Sequence, residues 1–519
     1  MSSLKKLAGQ TAIYGFTNIL GRLLNYLLVP LYTKILSPEA YAPVNIVYAW
    51  IPFLSVLFTY GLETSFFRFS QDASDSKKIL SNSSISLIFS TVVFTTLLLC
   101  FQKSISLWME LGNHPEYIIY FSLILAFDTL TRIPFANLRL QNKALRYSVV
   151  QLINIGVNIG LNLFFLKLCP LLIERGHSWV SLFYDPSMGV TYIFISNLVA
   201  SGVTWLLLLP EIMSIKWEMD ISFWKKMMSY SLPLIVVGLA GMVNETLDRA
   251  FFLPKFLPYT LKQNNHLIGI YGANYKLSIL ITLFIQAFRM GAEPFFFQQA
   301  NADNARQTYA RIMKYFVIIL SIMFLFVAMY INVWKHLFLR QEVYWEGLFV
   351  VPTLLLANIF LGVYYNLSIW FKLSNQTRMG AYITIITAIF AFIFNIWWIP
   401  ILGYYGSALA TMVCYGIQMV ICYWLGQKYY PIPYATKKLL SIIGLSLLFY
   451  AGYWCIVKYF ISPEDVYNLN IPSLALATFL LLVFIYIMFR IEKPYLRKMF
   501  KKDGKTETPE DRKLGNPVA

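Results

Sequence analysis

The chain has 519 residues, of which 58% are hydrophobic and only 13% charged, and its mean hydropathy is +0.60. Soluble domains carry about 25% charged residues, so this composition excludes a soluble protein and indicates an integral membrane protein. The net charge of +17 is assigned to basic loops that orient the chain in the membrane, and no nucleic-acid partner is expected.

Apolar segments long enough to cross a bilayer recur along the whole chain. About 20 apolar residues are needed for each crossing. On that criterion we predict fourteen transmembrane helices, which start near residues 8, 42, 83, 117, 145, 189, 229, 267, 311, 346, 380, 405, 438 and 471. With the N terminus placed inside, most lysines and arginines fall in inner loops and tails, as the positive-inside rule requires. We therefore expect an all-α integral membrane protein with both termini in the cytoplasm.

The sequence contains signs of an internal duplication. The segment Gly61–Phe67 resembles Gly291–Phe297, 230 residues later, and Leu161–Leu166 resembles Phe394–Ile399 at an offset of 233. Six spans are an even number, so two such repeats run parallel in the membrane. The predicted organisation is an N-terminal lobe of spans 1–6 (residues 1–228), a C-terminal lobe of spans 7–12 (229–437), appended spans 13 and 14 (438–490), and a basic cytoplasmic tail expected to be disordered (491–519).

Two spans carry polar side chains at helical spacing. The first span presents Asn18, Arg22 and Asn25 on one face. The fifth span carries a stripe of four amides, Gln151, Asn154, Asn158 and Asn162. Such a stripe either holds helices together or lines a polar cavity that binds sugar, and the sequence leaves both possibilities open.

Charged side chains inside the predicted spans indicate a functional site. A charge at the centre of a bilayer helix costs about 2.5–3.5 kcal/mol, so these groups must face one another or a water-filled cavity. Five are basic and five acidic: Arg22, Arg132, Arg249, Lys276 and Arg289, against Glu63, Asp128, Glu245, Asp248 and Glu293.

Some of these charges have a possible partner one turn away on their own helix. The pairs at i,i+4 spacing are Asp128–Arg132, Glu245–Arg249 and Arg289–Glu293. Arg22 and Lys276 have no such partner and are the stronger candidates for binding an anion, with Arg22 preferred because a guanidinium binds phosphate bidentately. Glu63 and Asp248 are predicted to be unpaired carboxylates. They either couple transport to H⁺ or Na⁺, or pair with Arg22 and Lys276 across helices.

Two stretches resemble a known family. The opening segment from Gly21 to Tyr26 and from Pro30 to Tyr41 resembles the first helix and loop of bacterial polysaccharide flippases. These form the O-antigen flippase group of the multidrug/oligosaccharidyl-lipid/polysaccharide exporter superfamily. The pair Asp248-Arg249, followed by Gly269-Ile270-Tyr271, resembles the start of their C-terminal half.

The resemblance implies a V-shaped carrier of two lobes in the bacterial cytoplasmic membrane. It implies that the carrier moves an undecaprenyl-pyrophosphate-linked oligosaccharide from the inner to the outer leaflet, with a cationic cavity for the pyrophosphate and an ion gradient as the driving force. Arg22 and Arg249 match family-like positions, whereas Lys276, Arg289 and Arg132 are inferred from burial alone. By analogy, spans 13 and 14 guide the polyprenyl tail.

The function expected from the sequence is therefore transport without bond chemistry, and no catalytic residue is predicted. The substrate-binding candidates are Arg22, Arg249, Lys276, Arg289, Arg132, Asn18, Asn25, Asn154 and Asn158, and the ion-coupling candidates are Glu63, Asp248, Asp128, Glu245 and Glu293. Expected partners are the lipid-linked oligosaccharide, membrane lipids and other polysaccharide-assembly proteins. No cofactor or metal is expected beyond a coupling Na⁺ or H⁺. The alternatives are a drug or cation antiporter of the same superfamily and a glycan polymerase or ligase, the latter disfavoured because no outer loop is large.

Overall fold

A computed structural model describes residues 15–17, 19–72, 76–300, 302–374, 376–462 and 466–503. Within these ranges every regular element is helical. The helices up to the middle of the chain are α1 (residues 19–26), α2 (Val29–Ile35), α3 (Pro38–Thr59), α4 (Leu62–Asp72), α5 (Ser76–Cys100), α6 (Gln102–Trp108), α7 (Pro115–Leu140), α8 (Ala144–Leu163), α9 (Cys169–Glu174), α10 (Thr191–Leu207), α11 (Leu209–Met213) and α12 (Ile221–Glu245).

The remaining helices follow in the same way. They are α13 (Leu253–Phe256), α14 (Leu261–Gln298), α15 (Ala305–Met329), α16 (Ile331–Phe338), α17 (Val351–Leu367), α18 (Ile369–Leu373), α19 (Thr377–Leu402), α20 (Tyr404–Tyr429), α21 (Thr436–Ile456) and α22 (Ile471–Asp503). Three π-helical segments occur at Phe164–Leu168, Asp248–Phe252 and Val457–Ile461, and 3₁₀ segments occur at Ser178–Leu182, Pro186–Met188 and Glu342–Val350.

The described residues form twelve helices that are long and apolar enough to cross a membrane. They correspond to the predicted spans 2–5 and 7–14, so a multi-pass membrane protein is confirmed. The predicted sixth span is the apolar helix α10, which has only 17 residues. The predicted first span begins among residues outside the described ranges. The total of fourteen and the cytoplasmic placement of the termini therefore stay predictions.

Local sequence signals set where several of these helices begin. The Ser37 side chain accepts a hydrogen bond from the Ala40 amide at the start of α3, and Pro38 occupies the first turn. At the start of α14 Thr260 and Gln263 form a reciprocal capping box, which satisfies two amides that would otherwise lack acceptors. Asp220 caps α12 by accepting from the Phe223 amide at 3.0 Å.

The helix α3 ends abruptly before α4. Tyr60 and Gly61 both have left-handed backbone angles, with φ of 36° and 73°. Gly61 also lies against Leu234 of α12, where a Cβ would come within 2.9 Å of the leucine Cβ. Glycine suits this position because it adopts positive φ without a steric penalty. The break starts a second helix, α4, which carries Glu63.

The chain folds into two compact units, Met1–Ala310 with Trp334–Pro433, and Arg311–Val333 with Tyr434–Ala519. The predicted boundaries at residues 228/229 and 437/438 stay a prediction. Residues 504–519 of the predicted tail lie outside the described ranges.

In the first unit, α3 and α14 pack closely because glycines face the other helix. A Cβ at Gly269 would overlap the backbone carbonyl of Pro38, and one at Gly272 would overlap the Asn45 side chain. Tyr41 and Tyr271 are 230 residues apart, the same offset as the similar segments Gly61–Phe67 and Gly291–Phe297, and both are fully buried in this region. Small residues that let backbones approach are a common means of helix association in membranes.

Polar contacts join the same region of the first unit at the helix ends predicted to face outward. The Thr33 hydroxyl donates to the Phe338 carbonyl at 2.6 Å, and the Tyr344 hydroxyl donates to the Leu36 carbonyl at 2.9 Å. His266 Nδ1 lies 2.7 Å from Glu39 Oε1. These contacts connect residues from the two halves of the sequence, and we call them the outer contacts.

The second unit contains α21, α22 and most of α15. Glu492 is almost fully buried and binds two lysines, Lys314 of α15 and Lys438 of α21, the second at 2.5 Å. Sharing one carboxylate between two ammonium groups satisfies its oxygens and lowers the cost of burying it. The edge-to-face contact of Phe324 with Tyr450, with centroids 5.8 Å apart, packs α15 on α21 further along.

Candidate functional site

A cavity of about 680 Å³ lies within the first unit, and its lining comes from both halves of the sequence. Its charged lining residues are Arg22, Glu63, Asp128, Arg132, Arg139, Glu245, Arg289 and Glu293. Its neutral polar lining includes Gln151, Asn154, Thr204, Gln286 and Tyr365. Seven of the ten charges predicted from the sequence thus meet at one place. A cavity of this size is large enough for a polar ligand, because drug-sized sites span roughly 300–1,000 Å³, and its lining carries charges of both signs.

Arg22 reaches the cavity from α1 and has a neutral partner. Its Nη1 donates to Gln286 Oε1 of α14 at 2.6 Å, and its side chain is exposed. The pairing with Glu63 that the sequence left open does not form. Because an amide does not neutralise a guanidinium, Arg22 remains a full positive charge available to an anion in the cavity.

Glu63 has a partner that the sequence prediction missed. Its carboxylate forms an ion pair with Arg139 at the end of α7, and the Arg139 guanidinium also lies 4.9 Å from the ring centroid of Phe67. The prediction that Glu63 is unpaired is therefore wrong. Arg139 follows Asp128 on α7 by eleven residues, so the two side chains lie within about 20° of each other around the helix axis. This spacing could have identified Arg139 as a residue on the same helix face as Asp128.

Asp128 and Arg132 lie one turn apart on α7 but bind other groups. Asp128 accepts a hydrogen bond from the Ser201 hydroxyl at 2.8 Å, and Arg132 Nη2 donates to the Ser55 hydroxyl at 3.3 Å. The predicted ion pair between Asp128 and Arg132 is therefore wrong. The two side chains are neighbours on α7, but their hydrogen bonds go to neutral hydroxyls on α10 and α3.

Arg289 and Glu293 form the pair predicted from their spacing, with Nε and Oε1 3.5 Å apart. Glu293 also binds Lys372 of α18 at 2.5 Å, a partner that the sequence did not suggest. The Arg289 guanidinium lies 4.1 Å from the ring centroid of Tyr365, which adds a cation–π contact. Both cations therefore neutralise Glu293 within the protein.

Arg249 belongs to the π-helical segment Asp248–Phe252, which is separated from α12 by the helix end at Thr246. Arg249 Nε lies 3.2 Å from Asp248 Oδ1, and its Nη2 donates to the backbone carbonyl of Glu245, not to the carboxylate. Its guanidinium also lies 3.6 Å from the ring centroid of Tyr275. Asp248 accepts from the Tyr271 hydroxyl at 3.0 Å. The predicted Glu245–Arg249 side-chain pair and the predicted unpaired Asp248 are both wrong, and this buried cluster does not line the cavity.

Lys276 of α14 also lies away from the cavity lining. It is half-buried, and no described residue accepts a hydrogen bond from its ammonium or forms an ion pair with it. The pairing with Asp248 that the sequence left open does not form, because Asp248 is bound by Arg249 and Tyr271.

The amide stripe of the fifth span divides between the two roles that the sequence left open. Gln151 and Asn154 line the cavity, and Asn154 donates to the Thr204 hydroxyl at 2.8 Å. Asn158 donates to Asn25 Oδ1 at 3.2 Å, and Asn162 accepts from Tyr32 at 2.9 Å. The end of the stripe nearer the start of α8 is thus a cavity wall, and the other end joins α8 to α1 and α2.

The candidate Asn18 lies outside the described residues. In the described part of the chain no three His, Cys, Asp or Glu side chains come together as possible ligands of a metal ion. Gln286 was missed although it shares a face with Arg289 and Glu293, at spacings of three and seven residues.

The fold is similar to that of solved transporters and flippases. The structure described as "Lipid II flippase MurJ, inward closed conformation" matches with a TM-score of 0.66 and 14% identity, covering 92% of this chain and 99% of that one. An inward-facing multidrug resistance MATE family transporter of the MOP superfamily matches with a TM-score of 0.61 and 17% identity, covering 79% and 94%. A MOP superfamily transporter from Pyrococcus furiosus matches with a TM-score of 0.58 and 16% identity, covering 81% and 95%.

Sequence comparison identifies the family. No curated protein matches the chain. The family described as "Polysaccharide biosynthesis protein" matches residues 7–300, more than half of the sequence. The lining of the cavity comes largely from this matched region. The chain is therefore a member of the polysaccharide biosynthesis protein family, with the fold shared by the MurJ flippase and the MATE transporters.

Proposed function

We propose that this protein is a flippase that moves an undecaprenyl-pyrophosphate-linked oligosaccharide across the bacterial cytoplasmic membrane for the synthesis of a cell-surface polysaccharide. Membership of the polysaccharide biosynthesis family and the flippase-like fold support a lipid-linked sugar as cargo. The cavity supports a charged, hydrophilic headgroup, because its lining is polar and carries charges of both signs.

The proposal rests mainly on Arg22, a cavity-lining cation that has no acidic partner. It faces the cavity, it holds only an amide, and its guanidinium can exchange that amide for two phosphate oxygens. Arg132 lies on the same lining with a hydroxyl as its partner and supplies a second positive charge. Gln151 and Asn154 form a neutral wall whose donors and acceptors suit sugar hydroxyls.

The geometry supports loading from the cytoplasm. Glu63, Arg139 and Glu293 line the cavity and belong to helix ends that the predicted topology places inside. The outer contacts, which include His266–Glu39, join the opposite ends of the helices. A cargo that enters from the inner leaflet is released outside once the outer contacts separate and the inner ends close. We propose that an Na⁺ or H⁺ gradient biases this exchange, with Asp128 as the coupling carboxylate best placed on the lining.

A drug or cation antiporter is the second candidate, and one observation favours it. Four carboxylates line the cavity, Glu63, Asp128, Glu245 and Glu293, and a cationic drug would be attracted to them. Two of the four are already neutralised by ion pairs with Arg139 and with Arg289 and Lys372. Because those pairs remove half of the acidic charge, we prefer the flippase.

The test uses cells that depend on this chain for export of a surface glycan. Arg22→Ala is expected to abolish most of the surface glycan, whereas Arg22→Lys retains part of it, since a lysine keeps the charge but not the bidentate geometry. Arg146→Ala is the matched control, because Arg146 pairs with Glu211 outside the cavity lining. Membrane levels of each variant are measured in parallel. Normal surface glycan in both Arg22 variants would refute the anion site, and drug resistance without a glycan phenotype would establish the antiporter.

A further inference from the structure

Half of the charged lining residues form ion pairs within the protein. Glu63 is bound by Arg139, and Glu293 is bound by Arg289 and Lys372. Asp128 and Arg132 stand one turn apart on α7 and form no ion pair, and each has a hydroxyl as its hydrogen-bond partner. The other two charged lining residues, Arg22 and Glu245, have no charged partner among the described residues.

Glu245 is the carboxylate on this lining without a described partner. It is the last residue of α12, and its side chain is exposed to the cavity. Arg249 lies four residues further along the chain, but its guanidinium contacts the Asp248 carboxylate and the Glu245 backbone carbonyl. No described residue donates a hydrogen bond to the Glu245 carboxylate or forms an ion pair with it.

Arg22 and Glu245 come from different halves of the sequence and have opposite signs. Arg22 is supplied by α1 and Glu245 by α12, and both face the same cavity. A full charge in a protein cavity at membrane depth is stabilised by a ligand group of opposite sign, because the surroundings screen it less than bulk water does. The cavity is therefore complementary to a headgroup that carries one anionic and one cationic group.

We infer that the cargo is dipolar: the oligosaccharide carries a free amino group, which Glu245 binds as an ammonium while Arg22 binds the diphosphate. This rests on the proposed flippase function and narrows its substrate class to lipid-linked oligosaccharides that contain an unacetylated amino sugar. An ammonium and a single carboxylate form a charge-assisted hydrogen bond, and the remaining N–H donors of the ammonium can bond to water or to neutral polar groups of the lining. A metal ion would require several oxygen ligands.

The test measures binding to the purified protein in lipid nanodiscs. Two synthetic polyprenyl-diphosphate disaccharides serve as ligands, identical except that one has a free amine and the other the corresponding N-acetyl group. The wild-type chain is expected to bind the amine about tenfold to a hundredfold more tightly, the usual range for a hydrogen bond between charged groups. Glu245→Gln removes this preference by weakening the amine ligand alone. Arg22→Ala weakens both ligands and keeps the preference.

The control variant is Glu116→Gln, since Glu116 is exposed and pairs with His114 far from the cavity lining. It should bind both ligands as the wild type does. If the wild type binds both ligands equally, or if Glu245→Gln keeps the preference, the amine site is refuted while the flippase function stands. If neither ligand binds the wild type, both the proposed flippase function and this inference are refuted. A Glu245→Gln variant that loses only proton-driven transport identifies the carboxylate as a proton carrier and also overturns the inference.

Discussion

The close approach of α3 and α14 predicts a large effect from a single added methyl group. In Gly269→Ala the new Cβ would overlap the backbone carbonyl of Pro38. Backbone cannot rotate out of the way as a side chain can, so the two helices must move apart by roughly an ångström or more to restore ordinary carbon–oxygen contact. Overpacking of this kind costs about 1–3 kcal/mol. Separation would also disturb the neighbouring His266–Glu39 contact.

The measurement is thermal unfolding in detergent, with Gly291→Ala as the control. Gly291 belongs to the same helix, and a Cβ there would meet nothing within 4 Å. Both variants gain the same helix propensity, about 1 kcal/mol in favour of alanine, so the difference between them isolates the packing effect. We expect Gly269→Ala to unfold several degrees below Gly291→Ala. Equal midpoints for the two variants would show that these helices do not pack as described.

Two further predictions concern the buried cluster and the amide stripe. Asp248→Asn leaves the Arg249 guanidinium buried without its carboxylate, and we expect it to lower the free energy of unfolding by about 3–5 kcal/mol. The double variant Asp248→Asn with Arg249→Leu should recover much of this loss in the same unfolding assay. Asn154→Ala is expected to reduce glycan export with little change in stability, whereas Asn158→Ala should lower stability by about 0.6 kcal/mol and leave export intact. The reverse result for the two asparagines would contradict the division of the stripe.

The positions of the twelve membrane-spanning helices were largely predictable because they depend on the length of apolar segments, which the sequence displays directly. The convergence of charges was predictable for a similar reason. The charged side chains of Arg22, Arg132 and Arg289 are costly to expose to lipid, so they were expected to face a cavity between the helices. The helix α10 was a harder case, since its 17 residues fall below the length that identifies a span with certainty.

The partners of these charges were not predictable from spacing within one helix. Glu63 binds Arg139, 76 residues away, and such pairs depend on which helices pack together. The error at Arg249 has a local cause. The helix α12 ends at Glu245, and Thr246 after it has a φ of −133°, outside the helical range, so the side chains that follow do not continue the face of α12 and the i,i+4 rule does not apply. The stretch from Glu245 to Arg249 contains no glycine or proline that would mark this helix end in the sequence.

The interruption at Tyr60–Gly61 makes the two similar segments structurally different. Gly61–Phe67 begins a separate helix after a left-handed bend, whereas Gly291–Phe297 continues α14 without a break. A change of backbone angles at a bend reorients the short helix that follows it, whereas an unbroken helix moves as one body. We therefore expect the proposed transport cycle to turn α4 relative to α3 at Tyr60–Gly61 and to move α14 as a unit.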